Sequence, residues 1–355
     1  MTATTTPPVP TRQIRRLPRW VPWATLAASV ALAAGILALG DGPTPAGTAF
    51  LGGLIFVVAI SAASWVVEGE RYAKDRLATT LVGAAFLLAL LPLLSLVWTV
   101  LRNGLQAFSW SFLTTDMVGI FGQMTEGGIY HAIIGTLYVT GFACLISIPL
   151  GIFTAIYLVE YGQGRISGRI KRGITVLVDV MTGIPSIVAG LFAYSMFLLI
   201  FDEAYRSALV GGVALAVLMT PVVVRSCEEM LRLVPNELRE ASYALGVPKW
   251  LTIVKVVLRT SVAGITTGVM IAIARVTGET APLLITIGFV NNVNYDAFDG
   301  RIASLPVYVF REYAQGGQAS HERAWAAALT LIAIVMLLFL MARLVSKFFS
   351  PKLTR

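Results

Sequence analysis

Charge is the scarcest commodity in this chain. Of 355 residues only 13% are Asp, Glu, Lys or Arg, and 57% are hydrophobic. A soluble domain carries about 25% charged residues. The polar surface here is too small to cover a water-soluble globule, and the composition is that of an integral membrane protein. Histidine is nearly absent: His131 and His321 are the only two, which excludes an H-E-x-x-H metal site. The two cysteines, Cys144 in an apolar run and Cys227 in a polar segment, make neither a disulfide framework nor a metal cluster. No lysine follows a glycine, so a G-x-x-x-x-G-K-[ST] phosphate loop cannot exist. No G-x-S-x-G elbow is present either. If ATP drives any process here, another polypeptide must bind it.

What the chain does have is long apolar runs. A membrane-crossing helix needs about 20 mainly apolar residues. Eight runs qualify, at roughly 21–40, 48–67, 77–101, 132–159, 174–200, 208–224, 258–287 and 324–345, with 208–224 the shortest. The expected fold is therefore all-α, a polytopic membrane protein of about eight transmembrane helices. The first run follows a basic stretch, TRQIRRLPRW, as a signal peptide would. It is long, lacks a clear A-x-A cleavage site and is soon followed by a second run, so a retained helical hairpin is expected. The tail before it, within 1–20, reads as disordered.

The net charge of +8 is a topology signal rather than a nucleic-acid footprint, because the basic residues fall at the ends of apolar runs. Most Lys and Arg lie in the N-terminus, 68–76, 160–173, 225–259 and the C-terminus. Only Arg102, Arg206, Arg301, Arg311 and Arg323 fall in the alternate connections. Cytoplasmic loops carry the excess of Lys and Arg, so eight spans put both termini in the cytoplasm. Trp20, Trp23, Trp65, Trp98 and Trp325 sit near run ends, as interfacial aromatics do.

The connection 225–259, RSCEEMLRLVPNELREASYALGVPKWLTIVKVVLR, is not loop-like. Within it NELREASYALG predicts a short helix, with Asn236 as N-cap, Glu237 and Glu240 in the early turns, and a stop at Gly246 before Pro248. Such an element suits docking into a groove on a partner. An ordinary amphipathic surface helix is the plainer alternative.

The stretch IARVTGETAPLL, residues 273–284, puts Arg275 and Glu279 four residues apart in an apolar run. On one continuous helix they would share a face and pair. A central arginine in a bilayer costs about 2.5–3.5 kcal/mol on insertion scales, so the pair should face protein or water. Two readings stand: a structural ion pair that locks helices, or an anion pathway in which the guanidinium fork meets phosphate or sulfate. Gly278 and Pro282 flank the glutamate and predict a bend or break there. Arg225 is a positive-inside anchor or a second pathway group. Asp179 reads as a helix-contact carboxylate, and Pro185 with Gly190 as a kink and a close packing point.

Two of these stretches carry a family resemblance. Glu240-Ala241-Ser242, with Gly246 four residues later, resembles the E-A-A-x-x-x-G signature of ABC-transporter permeases. At the following I-x-L-P positions stand Val256, Leu258 and Arg259, so that proline is absent. ARVTGETAPLL is similar to the A-R-x-x-G-E-T-A-P-L-L stretch of PstA-type permeases of phosphate-specific ABC importers. GGIYHAIIGTLYVT, PLGIFTAIYLVEY, TGIPSIVAGLF, VRSCEEMLR and AWAAALTL resemble the same family.

The resemblance implies a type I ABC importer core of six spans over 77–345, with a coupling helix at about 236–246. Before it lie the tail 1–20 and an additional hairpin 21–76, on which the resemblance is silent; a tail 346–355 follows. It implies a non-catalytic permease that imports inorganic phosphate as half of a heterodimeric path. The implied partners are a PstC-type sister permease, two PstB-type ATPase subunits holding ATP and Mg, and a PstS-type extracytoplasmic binding protein. Pathway roles fall on Arg275, Glu279, Thr280 and Arg225, and ATPase coupling on Glu240, Ala241, Ser242 and Gly246. The rival expectations are a sulfate or molybdate permease, a lipid-modifying membrane enzyme, for which no interfacial cluster of acidic or nucleophilic residues appears, and a scaffold subunit.

Overall fold

The apolar runs become helices because a backbone in hydrocarbon must satisfy its own N–H and C=O groups. The computed structural model describes residues 16–39, 42–120, 124–162, 164–201 and 205–349. Most of the sequence expected to form the N-terminal tail, and the last six residues of the C-terminal one, lie outside the described residues. Among the described residues seven helices are long and apolar enough to cross a membrane, or eight if one bent pair counts as a single span. The chain divides into two compact units, 1–98 and 99–355.

In the first unit α1 (Val21–Ala38) and α2 (Pro45–Glu68) form the expected hairpin. They approach closely at Gly52, where a β-carbon would lie 3.3 Å from the Val30 Cα. Thr44 caps α2, its hydroxyl accepting from the Gly47 N–H at 3.2 Å. The buried Glu68 carboxylate closes the other end. It accepts from the Arg76 Nε (2.8 Å), the Leu17 N–H (2.7 Å) and the Ser64 hydroxyl (2.7 Å). α3 (Glu70–Ala107) starts in this unit and continues into the next. At 38 residues it is about 57 Å long, well beyond a bilayer core of about 30 Å.

The second unit is built around α8 (Ala208–Arg232), the most buried of the spanning helices. The sequence marked only 208–224 as apolar, but the helix runs eight residues further. Cys227 is correspondingly fully buried in the core rather than lying in a polar segment. α5 (Tyr130–Ile156) lies against α8. Gly151 there admits Val223, whose Cγ1 a β-carbon would meet at 2.6 Å. Ser147 donates to the Ala216 carbonyl at 3.1 Å, and Thr220 bridges to Ser147 at 3.2 Å. α11 (Leu258–Thr277) packs on α8 through Gly264 against Met230 and Gly268 against Ser226. These two glycines, four residues apart, form a small-residue seam of the kind that lets membrane helices touch without a hydrophobic driving force.

Two expected runs are broken. The run 174–200 is sharply bent rather than merely kinked: α6 (Arg165–Thr182) and α7 (Ser186–Phe201) meet at 109° around Gly183–Pro185, and together they make the eighth span when the bent pair is counted as one. Pro185 cannot continue the ladder, and the basic first half of α6 belongs at a polar boundary. The run 258–287 ends as a helix at Thr277 and resumes as the short α12 (Ala281–Thr286), a break of the kind Gly278 and Pro282 predict. α7 packs on α12 at Gly190, where a β-carbon would lie 2.7 Å from the Pro282 Cα.

The connection after α8 is shorter than expected. It holds α9 (Asn236–Ala244) and α10 (Lys249–Thr252), and a π-helical turn, Ile253–Val257, runs straight into α11. On the opposite side of the unit lie α4 (Trp110–Thr114), the loop 288–304 and α13 (Leu305–Gln315). The Met117 N–H donates to the Asn291 carbonyl at 2.9 Å, joining these segments. α14 (Gln318–Phe349) closes the unit and extends into the sequence expected to be a C-terminal tail.

Candidate functional site

Arg275 lies in the last turn of α11, where the partial negative charge of a helix C-terminus favours a cation. Its side chain is exposed. The expected ion pair with Glu279 is absent: no salt bridge joins Arg275 to any described carboxylate. The reason is the break. Helical i,i+4 geometry requires one continuous helix, and α11 stops at Thr277. Gly278 is its C-cap, and the Glu279 N–H bonds back to the Val276 carbonyl at 3.1 Å. Glu279 and Thr280 are half-buried. The Thr280 carbonyl accepts from the Leu283 and Leu284 N–H groups, both at 3.1 Å, so it starts α12.

Arg225 is handled differently. It sits on α8 next to Ser226, and Ser226 meets α11 at Gly268. Arg275 lies seven residues beyond Gly268, about 10 Å further along α11. Arg225 is held between two carboxylates, Asp179 of α6 and Glu228, the latter at 2.9 Å. Glu228 is itself buried and shared with Arg232 at 2.5 Å. The reading of Asp179 as a helix-contact carboxylate matches this geometry.

The third group surrounds α9. Its N-cap is Pro235, not Asn236, and Pro235 offers no side-chain cap. Asn236 is instead the first helical residue, accepting from the Arg239 Nη1 at 3.2 Å. The helix ends as the sequence predicts. Gly246 adopts φ +74°, which glycine takes without steric cost. The N–H groups of Gly246 and Val247 return to the Tyr243 (2.9 Å) and Ser242 (3.2 Å) carbonyls. Ser242 is buried and shares a hydrogen bond of 2.8 Å with Thr252. Glu240 and Ala241 stay exposed.

Arg239 fixes α9 to the rest of the unit. Its guanidinium donates to the buried Glu160 carboxylate (2.8 and 3.0 Å) and to the Val234 (2.6 Å) and Leu231 (3.0 Å) carbonyls. Glu160 belongs to a π-helical turn, Tyr157–Tyr161, that ends α5. Lys249 donates to the Glu160 carbonyl and lies 4.7 Å from the Tyr161 ring centroid. Sequence reasoning missed this clamp. Its one signal was a carboxylate at the apolar end of α5, and the partner is 79 residues away.

No described cluster of His, Cys, Asp or Glu could hold a metal ion. The groove between α11 and α14, of about 250 Å³, is lined by apolar side chains such as Met270, Ile273 and Phe339. It offers no donor to an anion.

Comparison with known proteins fits this geometry. Residues 147–355 match the model of the binding-protein-dependent transport system inner membrane component family. A phosphate transport system permease protein, PstA 1, of Mycobacterium tuberculosis (strain CDC 1551 / Oshkosh) is 46% identical over 277 residues, 78% of this chain and 90% of that protein. PstA of Yersinia pestis is 38% identical over 285 residues, 78% and 92% of the respective chains. Among solved structures, an inward-facing MetNI methionine ABC transporter aligns with a TM-score of 0.51 over 69% of this chain and all of that chain, at 17% identity, which speaks to the fold alone. The chain belongs to the binding-protein-dependent transport system inner membrane components and, within them, to the family of PstA phosphate transport permeases.

Proposed function

We propose that this chain is the membrane permease subunit of an ABC importer of inorganic phosphate, forming one half of a heterodimeric translocation path. The observation that carries the reading is Arg275: exposed, without a carboxylate partner among the described residues, at the break of an apolar helix. A guanidinium so placed cannot face lipid without a cost of several kcal/mol. It is tolerated where a second permease subunit and water cover that face and an anion passes. A planar fork of donors suits a tetrahedral oxyanion. Glu279, close in sequence but unpaired, can accept from a protonated oxygen of hydrogen phosphate, which sulfate lacks near neutral pH. Arg225, drawn between Asp179 and Glu228, is the second pathway group; a passing anion must compete with Asp179 for it.

The motor is a separate polypeptide, since no phosphate loop exists here. In this reading α9 docks on one of two ATPase subunits, with Glu240 and Ala241 at the contact and Ser242 and Gly246 setting its shape. In the same reading α9, both termini and the basic connections lie in the cytoplasm, which the Lys and Arg bias supports. An extracytoplasmic phosphate-binding protein delivers from the opposite side. The chain is itself non-catalytic. Residues 77–345 form the permease core, and 21–76 an added hairpin that anchors or shields it.

The test is phosphate uptake by vesicles holding the assembled complex. Arg275→Ala is expected to lower uptake by at least about tenfold, the scale of one charge-assisted hydrogen bond of 1.5–3 kcal/mol, with assembly intact. Normal uptake by an assembled Arg275→Ala complex removes this residue from the path.

A further inference from the structure

Arginine is rare on the side of the second unit opposite α9, and three of the arginines there gather at one point. Arg206 precedes α8, Arg301 lies in the loop before α13, and Arg311 lies in α13. They come from three separate chain segments and meet at Gly288–Phe289, just past the end of α12. A β-carbon on Gly288 would lie 3.1 Å from the Arg301 Cγ and 3.4 Å from the Arg206 Cδ, so both stems rest on the same glycine. The Arg311 guanidinium lies over the Phe289 ring, 4.2 Å from its centroid. Gly288 has φ +70°, so a side chain there is both strained and obstructed.

The backbone holds this gathering in place. The Ile302 N–H donates to the Ile287 carbonyl (3.1 Å) and the Leu209 N–H to the Ala297 carbonyl (3.2 Å). Asn294 donates to the Asp299 (2.9 Å) and Arg301 (3.2 Å) carbonyls. The carboxylates of this loop are engaged locally: Asp296 accepts from the Phe298 and Asp299 N–H groups, and Asp299 from the Gly300 N–H.

Among the described residues no carboxylate pairs with any of the three arginines. The Arg206 Nε is buried and has no hydrogen-bond partner. An unmade buried donor costs about 1–3 kcal/mol, and like charges held together repel. An anion entering would offset both, taking the Nε–Nη edge of the Arg206 guanidinium, which otherwise lies over the Tyr194 ring at 5.7 Å from its centroid.

We propose that Arg206 and Arg301, seated on Gly288 with Arg311 alongside, form an oxyanion-receiving site at the extracytoplasmic mouth of the path. The ligand class is a free tetrahedral dianion such as hydrogen phosphate, met by two guanidinium forks. α12 connects this site to the break that holds Glu279 and Arg275. Its six residues span about 9 Å, a single step for an anion moving inward. The inference rests on the oxyanion-import reading and adds the point of entry. An acidic rim on a docking protein is the competing ligand; the buried Nε, which a small ion reaches after a side-chain rotation, favours the free anion.

The experiment labels arginines with phenylglyoxal in the whole complex in lipid nanodiscs and locates the adducts by peptide mass spectrometry. Inorganic phosphate is compared with chloride at equal ionic strength, and exposed Arg71 serves as the reference. Phosphate is expected to slow labelling of Arg206 and Arg301 by about tenfold, an effect of about 1.4 kcal/mol, and to leave Arg71 unchanged. Equal slowing at Arg71, or protection given only by an added binding protein, overturns the site. In vesicles, Arg206→Gln with Arg301→Gln should raise the half-saturating external phosphate by a similar factor at an equal amount of assembled complex; unchanged half-saturation also overturns it. A wild-type complex that moves no phosphate, yet shows phosphate protection, sinks the import reading and leaves the site standing. Normal uptake with no protection sinks the site alone.

Discussion

The two ends of the second unit treat their charges in opposite ways. Around α9 each buried charge has a partner: Glu160 holds Arg239, and Glu228 holds both Arg225 and Arg232. At the break after α11, and at Gly288 beyond it, Arg275, Arg206 and Arg301 have no carboxylate within reach among the described residues. The difference is not one of side, because Arg323 pairs with Glu312 at 2.8 Å beyond the same break, both almost fully buried. On the import reading proposed above it is a difference of task. A guanidinium saturated by buried acceptors, as that of Arg239 is, holds elements together and has little left to offer a ligand; Arg225, one of whose two partners is the exposed Asp179, stands between the two groups. On the same reading an unsaturated guanidinium in a charge-poor protein is kept for a ligand that comes and goes. Stability and transport should therefore separate between the two groups.

The sharpest test of that separation is Arg239→Ala. The substitution strands Glu160 as a buried charge and removes the donor to the Val234 and Leu231 carbonyls. Breaking a buried pair by removing one partner costs about 3–5 kcal/mol. Cys227, buried in α8, is a built-in reporter: a thiol-reactive dye should show its exposure at a markedly lower temperature in the variant. α9 would also lose its link to the end of α5. Donor-stimulated ATP hydrolysis should then fall with uptake, while hydrolysis by the detached ATPase persists. Restoring both with Glu160→Arg plus Arg239→Glu would show that the pair, rather than either side chain, carries the motion. An unchanged melting temperature in Arg239→Ala would erase the contrast.

The sequence made some of this legible and hid the rest for physical reasons. Helix number and the helical break at Gly278 follow from run length and from glycine and proline, which act locally. The left-handed stop at Gly246 is local too. The Arg275–Glu279 pair was misread because i,i+4 spacing implies a shared face only on an unbroken helix, and the same glycine that announced the break invalidated the pairing. The bend between α6 and α7 was legible only as a kink at Pro185; its 109° was not, because hydropathy averages over direction. The Glu160–Arg239 clamp and the Gly264–Gly268 seam depend on what lies opposite in space, and a single sequence does not contain that. The three arginines at Gly288 were each visible as exceptions to the charge bias, but their convergence is a product of the fold.

A smaller effect is expected at Asp179. Its side chain is 60% exposed, and Arg225 keeps Glu228 when it is lost. Asp179→Asn should shift the melting temperature by the equivalent of no more than about 1 kcal/mol, as for an exposed ion pair. What it should change is competition at Arg225: if Asp179 holds the guanidinium between passages, its neutralisation alters the phosphate concentration at half-maximal uptake. A loss of several kcal/mol with unaltered kinetics would move Arg225 from the pathway to the scaffold.

The smallest change in stability, and the most telling, is expected at Arg275. Arg275→Gln removes a charge that no described side chain pairs with, so the dye-detected melting temperature should stay within about 0.5 kcal/mol of wild type, the range of ordinary surface substitutions. The one opposing contribution is the helix C-terminus, which favours the cation by about 0.3–1 kcal/mol at exposed positions. Relieving a charge in an apolar span acts in the other direction. Uptake should nevertheless collapse. A variant that melts early and transports poorly would mean that Arg275 holds the bundle together through a partner subunit. One that melts normally and transports nothing separates the two kinds of arginine by their effects, as the geometry separates them by their partners.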